Sequence, residues 1–446
     1  MSTTTIQPLS LVSGGVLSEP SLPEVHASVR ITRQPGFWKR LMGFVGPGFL
    51  ISVGYMDPGN WATDIAGGSR FGYTLLSVIM ISNLLAMLLQ SLSLKLGVAT
   101  ERDLAQLCQE HFGRAASVAL WIFAEVAIAA CDLAEVIGSA IALNLLFHIP
   151  LFWGALLTGV DVLLVLALQK QGLRYIESLV IVLIGTILAL FAAQIFLSRP
   201  EYGAAAFNLA VPSLSILRNR EMLFIAVGML GATVMPHNLY LHSSLVQSRN
   251  YSRSTEGKRE AVKMANIDSA AALTIALFVN AAILIVAAAV FNRHGLFEVA
   301  AIQDAYKLLS PLVGAAGAST LFAVALLASG QNSSITGTMA GQVVMEGFVH
   351  MKVQPWMRRL MTRSLAIVPT LIAIAFYGEA GTEKLLILSQ VVLSLQLSFA
   401  VIPLVLFTSR RKLMGEFVNS RPVQIAGWSV AALIAGLNGW FLVAMI

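Results

Sequence analysis

Two short segments combine residues that could bind a cation with a proline that would interrupt a helix. The first reads Asp57-Pro58-Gly59-Asn60 and the second reads Met235-Pro236-His237-Asn238. Because proline has no N–H, the carbonyl four residues earlier loses its helical partner, and these carbonyls belong to Gly54 and Ala232. In hydrocarbon a freed carbonyl is costly unless it meets water, protein or a cation. The two segments could therefore offer a cation a carboxylate, an amide, a thioether and backbone oxygens.

Each of these candidate ligands also has an ordinary structural interpretation. Asp57 could pair with a buried arginine, Asn60 could cap the half-helix after the break, and Met235 could simply pack. Their matching positions favour a ligand role, since an ionisable group in a membrane segment is functional by default. Ca²⁺, Mg²⁺ and Na⁺ prefer oxygen ligands, whereas a thioether favours softer transition ions. The set predicts a site for Mn²⁺, Fe²⁺ or their neighbours, with Cd²⁺ as a contaminant.

A second group of polar residues follows one face of the third apolar segment. At about 100° per residue three carboxylates share that face: Glu125, Asp132 and Glu135. One interpretation is a proton relay, because acidic chains carry protons in transporter helices. The other is a row of ion pairs to basic residues such as Arg249, Arg358 or Arg359. The sequence leaves both open.

Histidines add little to the case for a metal-binding cluster. His237 could pass or sense protons near the metal, although a lone histidine is more often structural. It lies five residues before His242, which separates the two rings by about 140° and argues against a zinc pair on one helix face.

Composition places most of the chain in lipid. Of the 446 residues 57% are apolar and 12% are charged, which nearly excludes a soluble globule. The apolar windows predict eleven spans: 42–66, 71–97, 115–147, 150–169, 174–197, 221–247, 265–292, 313–349, 359–377, 384–408 and 423–446. No charged start precedes an apolar run, so residues 1–41 are interpreted as a disordered cytoplasmic tail rather than a signal peptide.

The basic residues give the expected orientation. Most of them fall in loops on the same side as the tail, which predicts a cytoplasmic N-terminus and a C-terminus outside. This placement also explains the net charge of +6 without nucleic acid as a partner. Two interrupted spans in matching positions predict two inverted five-helix repeats, 42–197 and 221–408, followed by an eleventh helix at 423–446.

At these motifs the sequence resembles the Nramp family of divalent metal ion transporters, in its bacterial form. The resemblance rests on Asp-Pro-Gly-Asn at 57–60, Met-Pro-His-Asn-Leu-Tyr-Leu-His at 235–242 and Gly-Gln-Asn-Ser-Ser-Ile-Thr-Gly-Thr-Met-Ala-Gly-Gln at 330–342. It implies an all-α integral membrane protein with the LeuT-like fold, unwound first and sixth helices, and a place in the inner (plasma) membrane. It also implies import of Mn²⁺ and Fe²⁺, and of Cd²⁺ and Co²⁺, coupled to protons.

The same resemblance implies roles for individual residues. The metal ligands would be Asp57, Asn60, Met235 and the Ala232 carbonyl, with Gln390 joining on closure and the Gly54 carbonyl in one conformation. The proton route would run through Asp57, His237, Asp132 and Glu135. Arg249, Arg358 and Arg359 would lie further along it.

Other functional classes fit the residues less well. A Na⁺-coupled amino-acid symporter of the same architecture is the main alternative, but Asp57 would repel a substrate carboxylate. A membrane-embedded enzyme lacks paired histidine ligands, and two non-repeating broken helices favour alternating access over a channel. Phosphate loops and nucleophile elbows do not occur in a usable context. We expect no cofactor, no nucleic acid and no obligate protein partner.

Overall fold

The computed structural model describes residues 20–31, 36–299, 301–315, 317–349 and 355–445. Among these, the following side chains lie outside the description: 161–170, 355, 356, 358, 359, 362, 379, 380, 383, 387, 441, 442, 444 and 445. The described chain is almost entirely helical, and its two short strands, β1 (Val29–Arg30) and β2 (Arg249–Asn250), pair in parallel.

Nineteen α-helices occur within these residues. The first half of the chain forms α1 (Phe37–Phe44), α2 (Pro47–Ser52), α3 (Pro58–Phe71), α4 (Leu76–Thr100), α5 (Leu104–His111), α6 (Arg114–Phe147), α7 (Leu151–Lys170), α8 (Leu173–Ser198), α9 (Tyr202–Ala210) and α10 (Ser215–Arg218). The second half forms α11 (Arg220–Thr233), α12 (Pro236–Leu245), α13 (Thr255–Val290), α14 (Ile302–Val313), α15 (Ala318–Val349), α16 (Pro355–Tyr377), α17 (Glu379–Thr408), α18 (Arg411–Met414) and α19 (Arg421–Met445). Short 3₁₀ turns cover Val53–Met56, Gly72–Leu75, Val246–Ser248, Asn292–His294 and Gly415–Phe417.

Each predicted apolar segment coincides with a helix or with a pair of half-helices. Six helical stretches in the described residues are long and apolar enough to cross a membrane: Pro58–Thr100, Arg114–Phe147, Leu173–Ser198, Arg220–Ser248, Thr255–His294 and Lys384–Thr408. Three shorter apolar helices accompany them: Pro47–Met56, Leu151–Val160 and Arg363–Tyr377. Large apolar side chains such as Phe196 and Phe376 are exposed at 77% and 79%, as expected for surfaces that face lipid.

Both predicted interruptions are present. The first apolar segment consists of α2, a 3₁₀ turn, an extended Asp57 and α3, which begins at Pro58. The sixth consists of α11 and α12, separated by non-helical residues Val234 and Met235. In both, proline stands at the first position of the new helix, where its missing N–H costs nothing.

The tail differs from the expectation of disorder over 1–41. Residues 1–19 and 32–35 lie outside the described residues, but β1 pairs with β2 and α1 already begins at Phe37. Leu22 is only 1% exposed, and its N–H donates to the Glu346 carboxylate at 2.8 Å. The polar composition of the tail predicted disorder. The residues that the tail packs against lie more than 200 positions away in the chain, so the local sequence does not reveal them.

Close helix approaches fix the first break within the bundle. α6 packs against α15, where a Cβ at Gly330 would overlap the Ser139 hydroxyl. A Cβ at Gly138 of α6 would overlap the ring of Pro58. Glycine at these positions lets the helices and the break touch directly, so the start of α3 is held against α6.

Candidate metal centre

Asp57 forms the hinge of the first break. Its backbone is extended (φ −70°, ψ 163°), and its carboxylate caps α3 by accepting from the backbone N–H of Asn60 at 2.9 Å. The residue is fully buried. A negative charge at a helix N-terminus is favourable, because the exposed N–H groups and the helix dipole oppose it. The cap therefore fixes a carboxylate in the middle of an apolar segment.

The Asn60 amide connects the two breaks. Its Nδ2 donates to Asp57 Oδ1 at 2.6 Å and to the Ala232 carbonyl at 3.0 Å, and it lies 3.5 Å from the Gly54 carbonyl. The two carbonyls that proline chemistry singled out are therefore both next to one amide and one carboxylate. The structure therefore brings these four residues together.

Met235 approaches the same place from the second break. It is fully buried at the cap position of α12, and its backbone is extended (φ −81°, ψ 124°). Its Sδ would lie 3.2 Å from a Cβ at Gly54, and such a Cβ would also overlap the Asn238 amide. Glycine at 54 thus leaves the space in which the thioether comes next to the first break.

Gln390 of α17 lies between the half-helices. A Cβ at Gly59 would overlap its side-chain amide, and a Cβ at Gly231 would lie 3.0 Å from its backbone oxygen. Gln390 also lines a cavity of about 210 Å³ between α3, α11, α17 and α19, together with Arg70 and Glu221 at the other ends of α3 and α11. The cavity therefore extends from the Arg70 end of α3 as far as Gln390.

Several buried polar atoms around the breaks have no hydrogen-bond partner in the described part of the chain: Asp57 Oδ2, Asn238 Oδ1, Gln390 Oε1 and both ring nitrogens of His237. Buried polar groups normally have a hydrogen-bond partner, so several unpartnered atoms close together are typical of a place where a ligand binds. The described residues contain no group of three or more His, Cys, Asp or Glu that could hold a metal. A cation here would depend on one carboxylate together with amide, carbonyl and thioether donors.

Comparison with known proteins identifies the family of this chain. The family model described as natural resistance-associated macrophage protein-like, Nramp, matches residues 48–444. The chain belongs to the Nramp family. It is 59% identical over 425 residues to the divalent metal cation transporter MntH of Nostoc sp., covering 95% of this chain and 96% of that one. It is 60% identical over 423 residues to MntH of Listeria innocua, covering 95% and 94%.

Solved structures agree in fold. This Nramp chain resembles the Eremococcus coleocola manganese transporter with a TM-score of 0.88 and 42% identity, covering 94% of this chain and 90% of that one. Mhp1, a nucleobase-cation-symport-1 family transporter, matches with a TM-score of 0.59 and 14% identity, covering 93% and 95%. The second likeness concerns the fold alone and supports the LeuT-like architecture expected from the sequence.

The predicted acidic face of this Nramp chain is only partly one cluster. Asp132 Oδ1 and Glu135 Oε1 both face Gly337 of α15, at 3.1 and 3.3 Å from where its Cβ would lie. Glu125 lies further along α6, half-buried, and accepts from the Trp121 indole at 3.1 Å. Asp132 and Glu135 therefore lie together, and Glu125 lies nearer the start of α6.

The basic partner of Glu135 is not among the arginines that the sequence suggested. Glu135 pairs with Arg363 of α16 at 3.4 Å, and Arg363, only 4% exposed, also donates to Ser334. Arg249 lies elsewhere, paired with Glu177 of α8 at 2.7 Å. The side chains of Arg358 and Arg359 lie outside the described residues. The sequence does not single out Arg363, because its contact with Glu135 depends on how α16 packs.

Proposed function

We propose that this protein is a multi-pass membrane transporter, not an enzyme, that imports divalent transition-metal ions, Mn²⁺ and Fe²⁺ first among them and Cd²⁺ and Co²⁺ as well. Relatives about 60% identical over nearly their whole length are named divalent metal cation transporters. A solved structure with 42% identity is named a manganese transporter. Metal ions and lipid are its partners, and the proposal requires no cofactor, nucleic acid or obligate protein partner.

One observation carries the assignment of the site. Asn60 Nδ2 lies among Asp57 Oδ1, the Ala232 carbonyl and the Gly54 carbonyl, so a positively polarised group is already surrounded by three oxygens. A cation bound beside this amide would meet the same oxygens. Rotation of the amide by half a turn would exchange its nitrogen for its oxygen and make Asn60 a fourth oxygen donor.

Met235 would provide the selectivity. A thioether adds little for Ca²⁺ or Mg²⁺ but is accepted by softer transition ions. Gln390, whose Oε1 has no hydrogen-bond partner among the described residues, would complete the ligand set when the site closes. We propose Asp57, Asn60, Met235, Ala232, Gln390 and Gly54 as the residues that bind the metal.

The architecture that we propose has eleven membrane-spanning segments. Residues 42–197 and 221–408 form two inverted five-helix repeats, and 423–446 forms the eleventh helix. The distribution of basic residues supports a cytoplasmic N-terminus, an external C-terminus and insertion in the inner (plasma) membrane. Alternating access would follow from movement of one group of helices against the other around the breaks.

Proton coupling is part of the proposal. Asp57, His237, Asp132 and Glu135 would form the route, with Arg363 as the buried counter-charge of Glu135. The route expected from the sequence also includes Glu125, Arg249, Arg358 and Arg359. Coupling is not required by energetics, because a divalent ion entering an inside-negative cell already gains about 4.6 kcal/mol per 100 mV.

Uptake into proteoliposomes tests these assignments together. We expect Mn²⁺ uptake at fixed voltage to fall roughly 100-fold or more in Asp57→Ala, since the site loses its carboxylate. In Met235→Ala, Ca²⁺ should compete about tenfold better against Mn²⁺ than in wild type. Met229→Ala is the matched control. Met229 is as buried as Met235, but it lies within the continuous part of α11 and not at the break. A pH dye inside the same vesicles reports proton entry.

The outcomes separate the alternatives. Unchanged Ca²⁺ competition in Met235→Ala would remove the sulfur as the selectivity filter. Full Mn²⁺ uptake in Asp57→Ala would contradict the site. Na⁺-driven amino-acid uptake by wild type, without metal transport, would favour the symporter instead.

A further inference from the structure

The carbonyls at the end of the first half-helix are not all available to a cation. A helix that ends leaves its last carbonyls without helical partners. The Tyr55 carbonyl accepts from Asn280 Nδ2 of α13 at 2.7 Å. The Met56 carbonyl accepts from Trp61 Nε1 at 3.1 Å and from the Ser329 hydroxyl of α15. Two of the carbonyls next to Asp57 are therefore held by side chains from the surrounding protein.

The Trp61 indole is rigidly placed. It is fully buried and stands edge-on to Phe191 of α8 and Phe322 of α15, at centroid distances of 4.9 and 5.2 Å. Because two rings fix its plane, its N–H can donate in one direction only, towards Met56. Trp61 is also four residues after Asp57, so this bond ties the first turn of α3 back across the break.

The two donors fix one peptide plane. The Met56–Asp57 peptide has its carbonyl bound by Trp61 and Ser329, while the Asp57 carboxylate accepts from Asn60 N–H. Rotation of this peptide would break both bonds to its carbonyl and turn that oxygen away from its donors. Asp57 would then lose its extended backbone and the direction of its carboxylate.

We propose that Trp61 and Ser329 are positioning residues of the metal site. By holding the Met56 carbonyl they orient Asp57 and keep that oxygen away from the ion, as Asn280 does for the Tyr55 carbonyl. This deepens the proposed function and rests on it. A small number of hard oxygens disfavours Ca²⁺, which takes six to eight oxygen ligands in proteins.

Two conservative variants test the proposal in the full-length protein. Trp61→Phe keeps an aromatic ring between Phe191 and Phe322 but removes the N–H, and Ser329→Ala removes the hydroxyl. We expect each to weaken Mn²⁺ binding, measured by calorimetry on purified protein, by roughly three- to tenfold. The ratio of Ca²⁺ to Mn²⁺ affinity should rise in both. Ser329→Thr keeps a hydroxyl and should restore wild-type binding.

The control separates positioning from packing. Thr370→Val removes another buried hydroxyl, which donates to the Ala366 carbonyl at 2.9 Å within α16. It should leave Mn²⁺ affinity within about twofold, whatever its effect on thermal unfolding. If Trp61→Phe and Ser329→Ala lower the unfolding temperature but leave Mn²⁺ affinity and the Ca²⁺ ratio unchanged, the two residues are structural and the proposal is overturned.

The test also distinguishes this inference from the proposed function. If wild type binds no Mn²⁺, the proposed function fails. If wild type binds Mn²⁺ and Asp57→Ala does not, while the positioning variants behave as wild type, only the inference fails. Should Trp61→Phe not fold, Ser329→Ala against Ser329→Thr decides alone.

Discussion

The two broken helices are joined to each other at both ends, and the two joints differ in burial. At the end near the tail, Arg249, which follows α12, donates to the Val45 carbonyl ahead of α2 at 2.7 Å and pairs with Glu177. At the opposite end, Arg70 of α3 pairs with Glu221 of α11 at 2.5 Å. The side chains of the first pair are 1% and 2% exposed, and those of the second are 41% and 50% exposed.

The tail-side joint includes more than one ion pair. Arg174 donates to the carbonyls of Gly43 and Val45, both at 2.7 Å. The Asp268 carboxylate accepts from the N–H groups of Gly46 and Gly48, the latter at 2.7 Å. We call Arg249, Glu177, Arg174 and Asp268, with the backbone of 43–48, the Arg249 clasp. Asp268 belongs to it through these two hydrogen bonds, which fasten α13 to the start of α2.

The difference indicates which end opens more easily. Breaking a buried ion pair costs about 3–5 kcal/mol, whereas an exposed pair contributes about 0–1 kcal/mol. The cavity that reaches Gln390 lies at the Arg70 end, where the joint is weak. With the proposed orientation, the buried joint lies on the cytoplasmic side and the exposed joint on the outer side.

The largest expected effect comes from removing the clasp arginine. Arg249→Ala leaves Glu177 buried without this partner, and we expect it to destabilise the closed tail-side end by about 3–5 kcal/mol. Hydrogen exchange of peptides covering residues 43–56 should accelerate accordingly. Arg259→Ala is the matched control, because its pair with Glu416 is 66% and 61% exposed. Equal exchange in both variants would contradict the difference between the joints.

That the residues of the proposed metal site lie together could be predicted from the sequence, because the determinants are local. Proline chemistry identifies the Gly54 and Ala232 carbonyls, and an aspartate in an apolar segment has few explanations other than function. Met235 and Asn60 follow from their places beside the same prolines. The meeting of the two segments required only that matching breaks lie in matching repeats.

The counter-charges could not be predicted, because they depend on helix packing. Nothing in the spacing of Arg363 distinguishes it from neighbouring arginines, and only the packing of α16 against α6 brings it to Glu135. In the same way, Arg249 was one of the candidate partners for the acidic face of α6, although the fold places it against Glu177. Sequence periodicity gives the face of one helix, but it does not give the helix that covers that face.

A glycine substitution would perturb the clasp from the backbone. Gly46 has φ +138°, and a Cβ there would overlap the Glu177 carboxylate. Gly36 has φ +129° with no atom within 4 Å of its Cβ position. Both alanine variants incur the backbone strain of about 1–3 kcal/mol, but only Gly46→Ala also displaces Glu177. We expect Gly46→Ala to lower the thermal unfolding midpoint more and to accelerate exchange over 43–56. Identical behaviour of the two would show that Glu177 moves without cost.

The smallest effect is expected at the other joint. Arg70→Ala should change the opening equilibrium of the Arg70 end by at most about 1 kcal/mol, because both partners are half-exposed. Raising the salt concentration tests the exposed pair more directly than the variant alone. The Debye length falls from about 10 Å at 0.1 M salt to about 3 Å at 1 M, so an exposed ion pair is weakened. In wild type, hydrogen exchange near Arg70 and Glu221 should therefore rise with salt towards the level of Arg70→Ala. Hydrogen exchange over residues 43–56 should stay constant, because the Arg249–Glu177 pair is buried away from solvent. A salt response of the same size at both ends would mean that burial does not separate the two joints.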